Sequence, residues 1–269
     1  MAFEVLQYRI QHWLKAVDEQ SLHSPSLFQL YQILAKKNSV SFDEIEKIRK
    51  QLRENKQTIE LTDLGAGSKM KLSNKRKISS IAKSSLNTAF WSETIFNLIE
   101  HFKPSTIVEL GTSLGINTLY LASANPNAKT ISFEGCPEIA RIAQTNFNKF
   151  PNLDIHIIHG NIDQTLPLFL QKQTDCSFFY IDANHTYEAT KRYFELIISS
   201  STADSILIFD DIHWSSGMHK AWQEIVQHPK AQLSIDLFKI GLIFTNPELP
   251  KSQQVWELRR QSDSPKQDK

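Results

Sequence analysis

The sequence predicts an α/β fold: a mostly parallel seven-stranded sheet with helices on both faces and a helical N-terminal extension. Three observations carry this. From about residue 88 onward, short runs rich in Ile, Val, Leu and Phe alternate with amphipathic stretches of roughly 10–15 residues, the pattern of βαβ units. Glycine is absent from residues 1–56, which read as helical. Hydrophobic residues make up 41% of the 269 residues and charged residues 22%, enough for a sizeable core.

The extension comes first. Phe3, Leu6, Tyr8, Ile10, Trp13 and Leu14 fall roughly on one helical face. Leu22-His23-Ser24-Pro25 interrupts that pattern, and residues 27–34 resume it. Residues 41–56 then offer an N-cap serine, early acids and a basic end. In residues 57–85 the character changes. A short strand is expected at 58–63 and a turn at Gly65-Ala66-Gly67-Ser68. A basic loop with Lys69, Lys71, Lys75, Arg76, Lys77 and Lys83 comes next, containing no acid and read as a solvated charged face.

Then the regular alternation begins. Helix 90–102 leads to strand 106–110, helix 114–124 to strand 129–133, and helix 137–150 to strand 154–159. A helical run at 165–171 precedes strand 176–181, helix 187–199 precedes strand 205–209, and helix 217–227 precedes two strands near 232–237 and 239–244. Those last two, joined at Leu237-Phe238, are expected to form an antiparallel hairpin on the sheet edge. Residues 248–269 are polar and expected to be disordered. The organisation is thus 1–85 extension and basic loop, 86–247 α/β domain, 248–269 tail.

Composition narrows the classes. A net charge of +1 gives no global field for nucleic acid or an anionic membrane. No apolar run reaches the ~18 residues of a membrane span, and the first residues lack a signal-peptide apolar region. Cys136 and Cys176 have no metal-spaced or disulfide-suggestive partner. A reduced, cytoplasmic chain is the expectation.

In such sheets ligands bind beyond the carboxyl ends of the strands, at the point where strand order reverses. After the first core strand the sequence reads Glu109-Leu110-Gly111-Thr112-Ser113-Leu114-Gly115. The spacing is E-x-G-x-x-x-G, not the G-x-G-x-x-G that seats a pyrophosphate on a helix. An acid at that position suits a cationic amino-acid end better than a diphosphate. The second strand ends in Phe133-Glu134-Gly135, where a carboxylate can accept both hydroxyls of a ribose.

Glu109 to Gly115 with Glu134 resembles the first two motifs of class I S-adenosylmethionine methyltransferases, over about residues 86–246. That resemblance implies a Rossmann-like fold with strand order 3-2-1-4-5-7-6. It also implies that Glu109, Gly111, Ser113 and Gly115 hold the methionine part, that Glu134 and Gly135 hold the ribose, and that Asn161 and neighbouring Asp182 lie close to the cofactor. Leu22-His23-Ser24-Pro25-Ser26-Leu27-Phe28 resembles a stretch of bacterial proteins of this type.

The fourth strand runs into Asp182-Ala183-Asn184-His185 and the fifth into Asp210-Asp211. Adjacent parallel strands end about 5 Å apart, so Asp182, Asp210 and Asp211 are expected to converge. Unpaired, they would raise each other's pKa; a hard divalent ion such as Mg²⁺ would resolve this. The constellation resembles metal-dependent O-methyltransferases of the catechol and sugar type. The Asp-Asp pair matches the sugar-type enzymes, and His185 stands where the catechol enzyme has a lysine. This resemblance implies an O-methyltransferase acting on a small-molecule hydroxyl, with Asp182, Asp210 and Asp211 holding the metal, and His185, beside Asp182, as the catalytic base. The extension is expected to pack near the acceptor pocket. His213 and His219 are read as structural; Trp214 and Trp222 are read as pocket wall or core.

The expected partners are the acceptor and, in an oligomer, further copies of the chain; no nucleic acid and no membrane. The alternatives are an NAD-dependent oxidoreductase, which the glycine spacing disfavours, and a methyltransferase-like domain that binds without catalysis, which the intact acidic cluster disfavours. An amino-group methyltransferase on nucleic acid would carry Asn/Asp-Pro-Pro-aromatic where this chain has Asp182-Ala183-Asn184-His185.

Overall fold

A computed structural model describes residues 2–62, 75–173 and 175–260. The chain begins with α1 (Ala2–Lys15), α2 (Pro25–Ala35) and α3 (Asp43–Glu54). A two-stranded antiparallel ribbon of β1 (Thr58–Glu60) and β2 (Lys75–Lys77) leads into α4 (Ile78–Ser85) and α5 (Ala89–Phe102). The α/β core runs β3 (Thr106–Leu110), α6 (Ile116–Ala124), β4 (Lys129–Glu134), α7 (Pro137–Phe147), β5 (Ile155–His159) and α8 (Ile162–Leu170). It continues β6 (Phe178–Ile181), α9 (Tyr187–Ser200), β7 (Ile206–Asp210), α10 (Ser216–Ile225), β8 (Leu233–Asp236) and β9 (Ile240–Phe244). β10 (Ser252–Val255) closes the described chain. Gly65, Gly67, Lys69 and Lys71 of the expected turn and basic loop, and residues 261–269 of the expected tail, lie outside the described residues.

The large sheet has the order β10-β8-β9-β7-β6-β3-β4-β5. β9 runs antiparallel to β7 and β8; every other pairing is parallel. From β5 to β8 this is the expected seven-strand order. β3, β6 and β7 are buried throughout, as strands covered on both faces must be. Alternation sorts their side chains: Val108, Phe179 and Leu207 pack under α8, α9 and α10, while Ile107, Phe178 and Ile206 pack under α2 and α5. A third cluster joins α3, α4, α6 and α7 through Ile48, Ile81, Tyr120 and Phe147.

Two expectations are corrected. The tail is ordered to residue 260: β10 adds an eighth strand beside β8, Trp256 is fully buried, and the Tyr31 hydroxyl donates to the Glu257 carbonyl (2.9 Å). One buried indole and a ladder of backbone bonds hold a segment whose composition is otherwise polar. The apolar stripe of α1 does not face the core. Phe3, Leu6, Ile10, Trp13 and Leu14 are 50–71% exposed, and α1 docks through buried His12, whose Nε2 meets the Asp236 carbonyl (3.3 Å).

Strand order reverses between β3 and β6: β4 and β5 lie to one side of β3, and β6 and β7 to the other. The loops after these two strands therefore part, opening a crevice at their carboxyl ends.

Candidate active site

A cavity of about 530 Å³ occupies that crevice. Gly111, Ser113, Glu134, Gly135 and Asn161 line one end; Asp182, His185, Asp210 and Asp211 line the other. Residues 2–56 do not line the wall themselves, but Arg49 of the extension donates to the carbonyl of cavity-lining Asn87. Trp214 lines it, whereas Trp222 is core, its ring against Gly241. His213 is buried with its Nε2 2.8 Å from Asp236 Oδ2 and its Nδ1 2.8 Å from His219, outside the cavity wall.

The loop after β3 is built by close approach. Gly111 has φ +102, and a Cβ there would sit 2.2 Å from the Asp182 carbonyl oxygen; only glycine lets β3 and β6 turn out this close together. Gly115, at φ +82, would strike the Phe147 ring at 2.6 Å if it carried a Cβ, so it packs against α7, and it is not among the residues of the cavity wall. Ser113, where a dinucleotide loop has its middle glycine, takes φ +48. Asn184 (φ +60) and Asp211 (φ +54) also line the cavity in left-handed conformations that non-glycine residues rarely adopt. Such conformations gather where a surrounding site over-determines the backbone.

Glu134 accepts the backbone N–H of Ser113 at Oε2 (2.9 Å) and of Cys136 at Oε1 (2.9 Å). Burial raises its pKa, opposed by those backbone donors. The Gly135 N–H is a third backbone donor to this carboxylate, which leaves acceptor capacity for a ligand hydroxyl, and Leu86, Phe133, Ile139 and Ile162 supply apolar wall nearby. The Asn161 side chain caps α8, accepting the Asp163 N–H (2.9 Å). Glu109 is placed differently from expectation. It is fully buried behind the loop, accepting from Ser132 Oγ (2.6 Å), Asn117 Nδ2 (3.1 Å) and the Thr118 hydroxyl, and is not part of the cavity wall. Burial pushes its pKa up to about 7 against those three bonds. Its carboxyl ties β3, β4 and α6 together beneath the loop.

At the other end the three carboxylates do converge, but not around an open centre. Asp182 Oδ1 lies 3.2 Å from His185 Nε2. Burial and then the charge of Asp210 push Asp182 up to about 6, against the pull of His185. Burial works against the His185 cation, but the Asp182 bond and charge outweigh it and hold the imidazole at about 8. Asp210, 1% exposed, takes four donors: Lys239 Nζ (2.8 Å) and the Asp211 N–H (2.8 Å) at Oδ1, and the Tyr180 hydroxyl (2.7 Å) and Asn87 Nδ2 (2.9 Å) at Oδ2. Lys239 Nζ also donates to Asp211 Oδ1 (2.6 Å). Burial would raise Asp210, yet Lys239 and these hydrogen bonds bring it below the ordinary carboxylate value.

The donor set therefore does not fit a divalent ion as it stands. A carboxylate offers about four lone pairs, and those of Asp210 are spent. Two of the three acids already share an ammonium, and the third is paired with His185. Among the described residues no group of three or more His, Cys, Asp or Glu is arranged to hold a metal. The expectation of a metal triad assumed unpaired acids, and Lys239 removes that assumption.

Sequence reasoning missed Lys239, Asn87 and Tyr180. For Lys239 a signal existed. Once the last strand pairs antiparallel with β7, Ile240 falls opposite Asp210, and the residue before it must lie beside Asp211. Nothing in local spacing marks Asn87.

The description "Methyltransferase domain" matches residues 108–212, from β3 to just past β7. Residues 108–212, about two fifths of the chain, are thus similar to a methyltransferase domain. No curated protein matches the chain. Solved structures share the fold. The O-methyltransferase from Bacillus cereus, in complex with SAH, is 14% identical with a TM-score of 0.56 over 81% of this chain and 97% of its own. SAH-bound Podospora anserina methyltransferase is 13% identical with a TM-score of 0.51 over 77% and 97%. The O-methyltransferase TomG from Streptomyces achromogenes, involved in tomaymycin synthesis and in complex with SAM, is 14% identical with a TM-score of 0.51 over 60% and 82%. The matched segment includes Gly111, Glu134, Asp182, His185 and Asp210, whereas Lys239 comes from the hairpin beyond it. No helix among the described residues is long and apolar enough to cross a membrane.

Proposed function

We propose that the protein transfers the methyl group of S-adenosylmethionine to a hydroxyl of a small molecule. One observation carries this reading: a single cavity at the β3–β6 reversal is lined at one end by Glu134 and the Ser113 loop and at the other by the Asp182–His185 pair. The first end has the chemistry for a nucleoside, with a strand-terminal carboxylate for ribose hydroxyls and apolar walls for a base. The second has a proton acceptor.

When bound, S-adenosylmethionine supplies a methyl on a cationic sulfur, so its bond to sulfur breaks as the bond to oxygen forms and the sulfonium charge is lost. The residues of this chain then have three tasks. Glu134, Ser113 and Gly135 hold the nucleoside. The cavity would hold the acceptor oxygen against the methyl group, and such positioning can supply a large part of the rate in displacements of this kind. His185 takes the hydroxyl proton at its imidazole, and Asp182 orients the ring and balances the imidazolium that results. A divalent ion has no part in these steps, since its expected ligands are bonded to Lys239 and His185.

Glu134→Ala tests the nucleoside half. Loss of the charged acceptor should weaken S-adenosylmethionine by ~1–3 kcal/mol, read by calorimetry on protein whose melting temperature is checked in parallel. Unchanged affinity in a folded variant would remove Glu134 from the cofactor site.

A further inference from the structure

We propose that Lys239 is the resident cation of the acceptor end, occupying the position of a divalent metal and keeping this site metal-free. The inference rests on the function proposed above and concerns the charge balance of the same site.

Backbone geometry delivers the ammonium. The turn between β8 and β9 is only Leu237-Phe238-Lys239, with Phe238 at φ +67 and its N–H donating to Asp236 Oδ1 (2.8 Å). That turn sets Ile240 opposite Asp210 in the β7–β9 ladder. Lys239 is thereby carried to the strand-end carboxylates from a hairpin that shares no local sequence with them. A left-handed phenylalanine costs backbone energy; the compensation is a bridge of 2.8 Å to Asp210 and 2.6 Å to Asp211.

Charge and coordination agree. The Lys239 ammonium lies within hydrogen-bond reach of both Asp210 and Asp211, so its burial is compensated by two carboxylates. An ammonium is a compact point charge with three donors. It can bridge two carboxylates as a hard cation would, offsetting one of their two charges, without the six to eight oxygen ligands that a calcium ion gathers or the octahedral shell that magnesium demands. Asp210 has no lone pair left over, so an incoming metal would have to displace the lysine from both acids. Lys239 is a positioning residue: it fixes Asp210 and Asp211 and leaves the Asp182–His185 pair to handle the proton.

Removing the ammonium should therefore create the metal site that its presence closes. The probe is Mn²⁺, a hard divalent ion suited to carboxylate oxygens, followed by electron paramagnetic resonance on the full chain. The wild-type protein should bind no Mn²⁺ at about 1 mM, the weak end of protein divalent sites. Lys239→Met, which keeps the stem and removes the charge, should gain at least a roughly tenfold tighter, one-to-one Mn²⁺ site. Lys239→Arg should restore exclusion. Lys239→Gln gives a second charge-free variant should the methionine not fold. Stoichiometric Mn²⁺ binding by the wild type at micromolar concentration overturns the proposal. So does a folded charge-free variant that gains none. S-adenosylhomocysteine binding, measured on the same samples, reports the nucleoside end separately: its absence would count against the proposed function and leave the Mn²⁺ result standing.

Discussion

His185→Ala is expected to slow methyl transfer by roughly 10²–10⁴ while leaving cofactor affinity close to wild type, the loss typical of a removed general base. His185 lines the acceptor end of the cavity and meets Asp182 at 3.2 Å. Its pH dependence gives the claim a second edge. Only the neutral imidazole accepts a proton, and the imidazole is held at about 8. The rate should therefore climb as pH rises through about 8 and be low at pH 6. Stability runs the opposite way. The folded pKa of about 8 lies above the ordinary value of 6.5, so the pair's contribution fades as pH rises through 8, and it fades again below about 6, where Asp182 takes up its proton. A pH profile of the wild-type rate that is flat between pH 6 and 9, or a His185→Ala variant within threefold of wild type, would assign the proton to another group.

The second large effect concerns stability. Asp210→Ala should destabilise the fold by ~3–5 kcal/mol, because deleting one partner of a buried ion pair strands the other. The side chain is 1% exposed and holds four donors, from three separate segments of the chain and its own neighbour. Asn87, Tyr180 and Lys239 would all lose their acceptor at once. Chemical denaturation reads this directly, as a fall in midpoint at unchanged slope. A midpoint shift equivalent to less than about 0.5 kcal/mol, the range of ordinary surface substitutions, would show that the network is held by something other than this carboxylate.

Most of the core was legible because its signals are local. Runs such as Thr106–Leu110 and Ile206–Asp210 are buried on both faces, so they are apolar throughout and stand out from the helices between them. The two glycines and Glu134 come from a tight loop after one strand and an acid at the end of the next. What sequence could not show depends on distant partners. β10 exists because Trp256 finds a core built by α2 and β8, and nothing nearby marks those polar residues as a strand. The α1 stripe suggested a buried face, but the helix is fastened through His12 and Asp236, a pair 224 positions apart. The expected metal triad meets the same limit. Three acids at two strand ends imply a cation, and the Lys239 ammonium lies against two of them. It comes from a hairpin whose register against β7 had to be known first.

Methyl-donor binding is the most direct test of the proposed function. Titrating S-adenosylmethionine into the wild-type protein in a calorimeter should show one site per chain, with S-adenosylhomocysteine competing for it and NAD⁺ neither binding nor competing. Saturable NAD⁺ binding, or no heat from S-adenosylmethionine up to millimolar concentration, would contradict it.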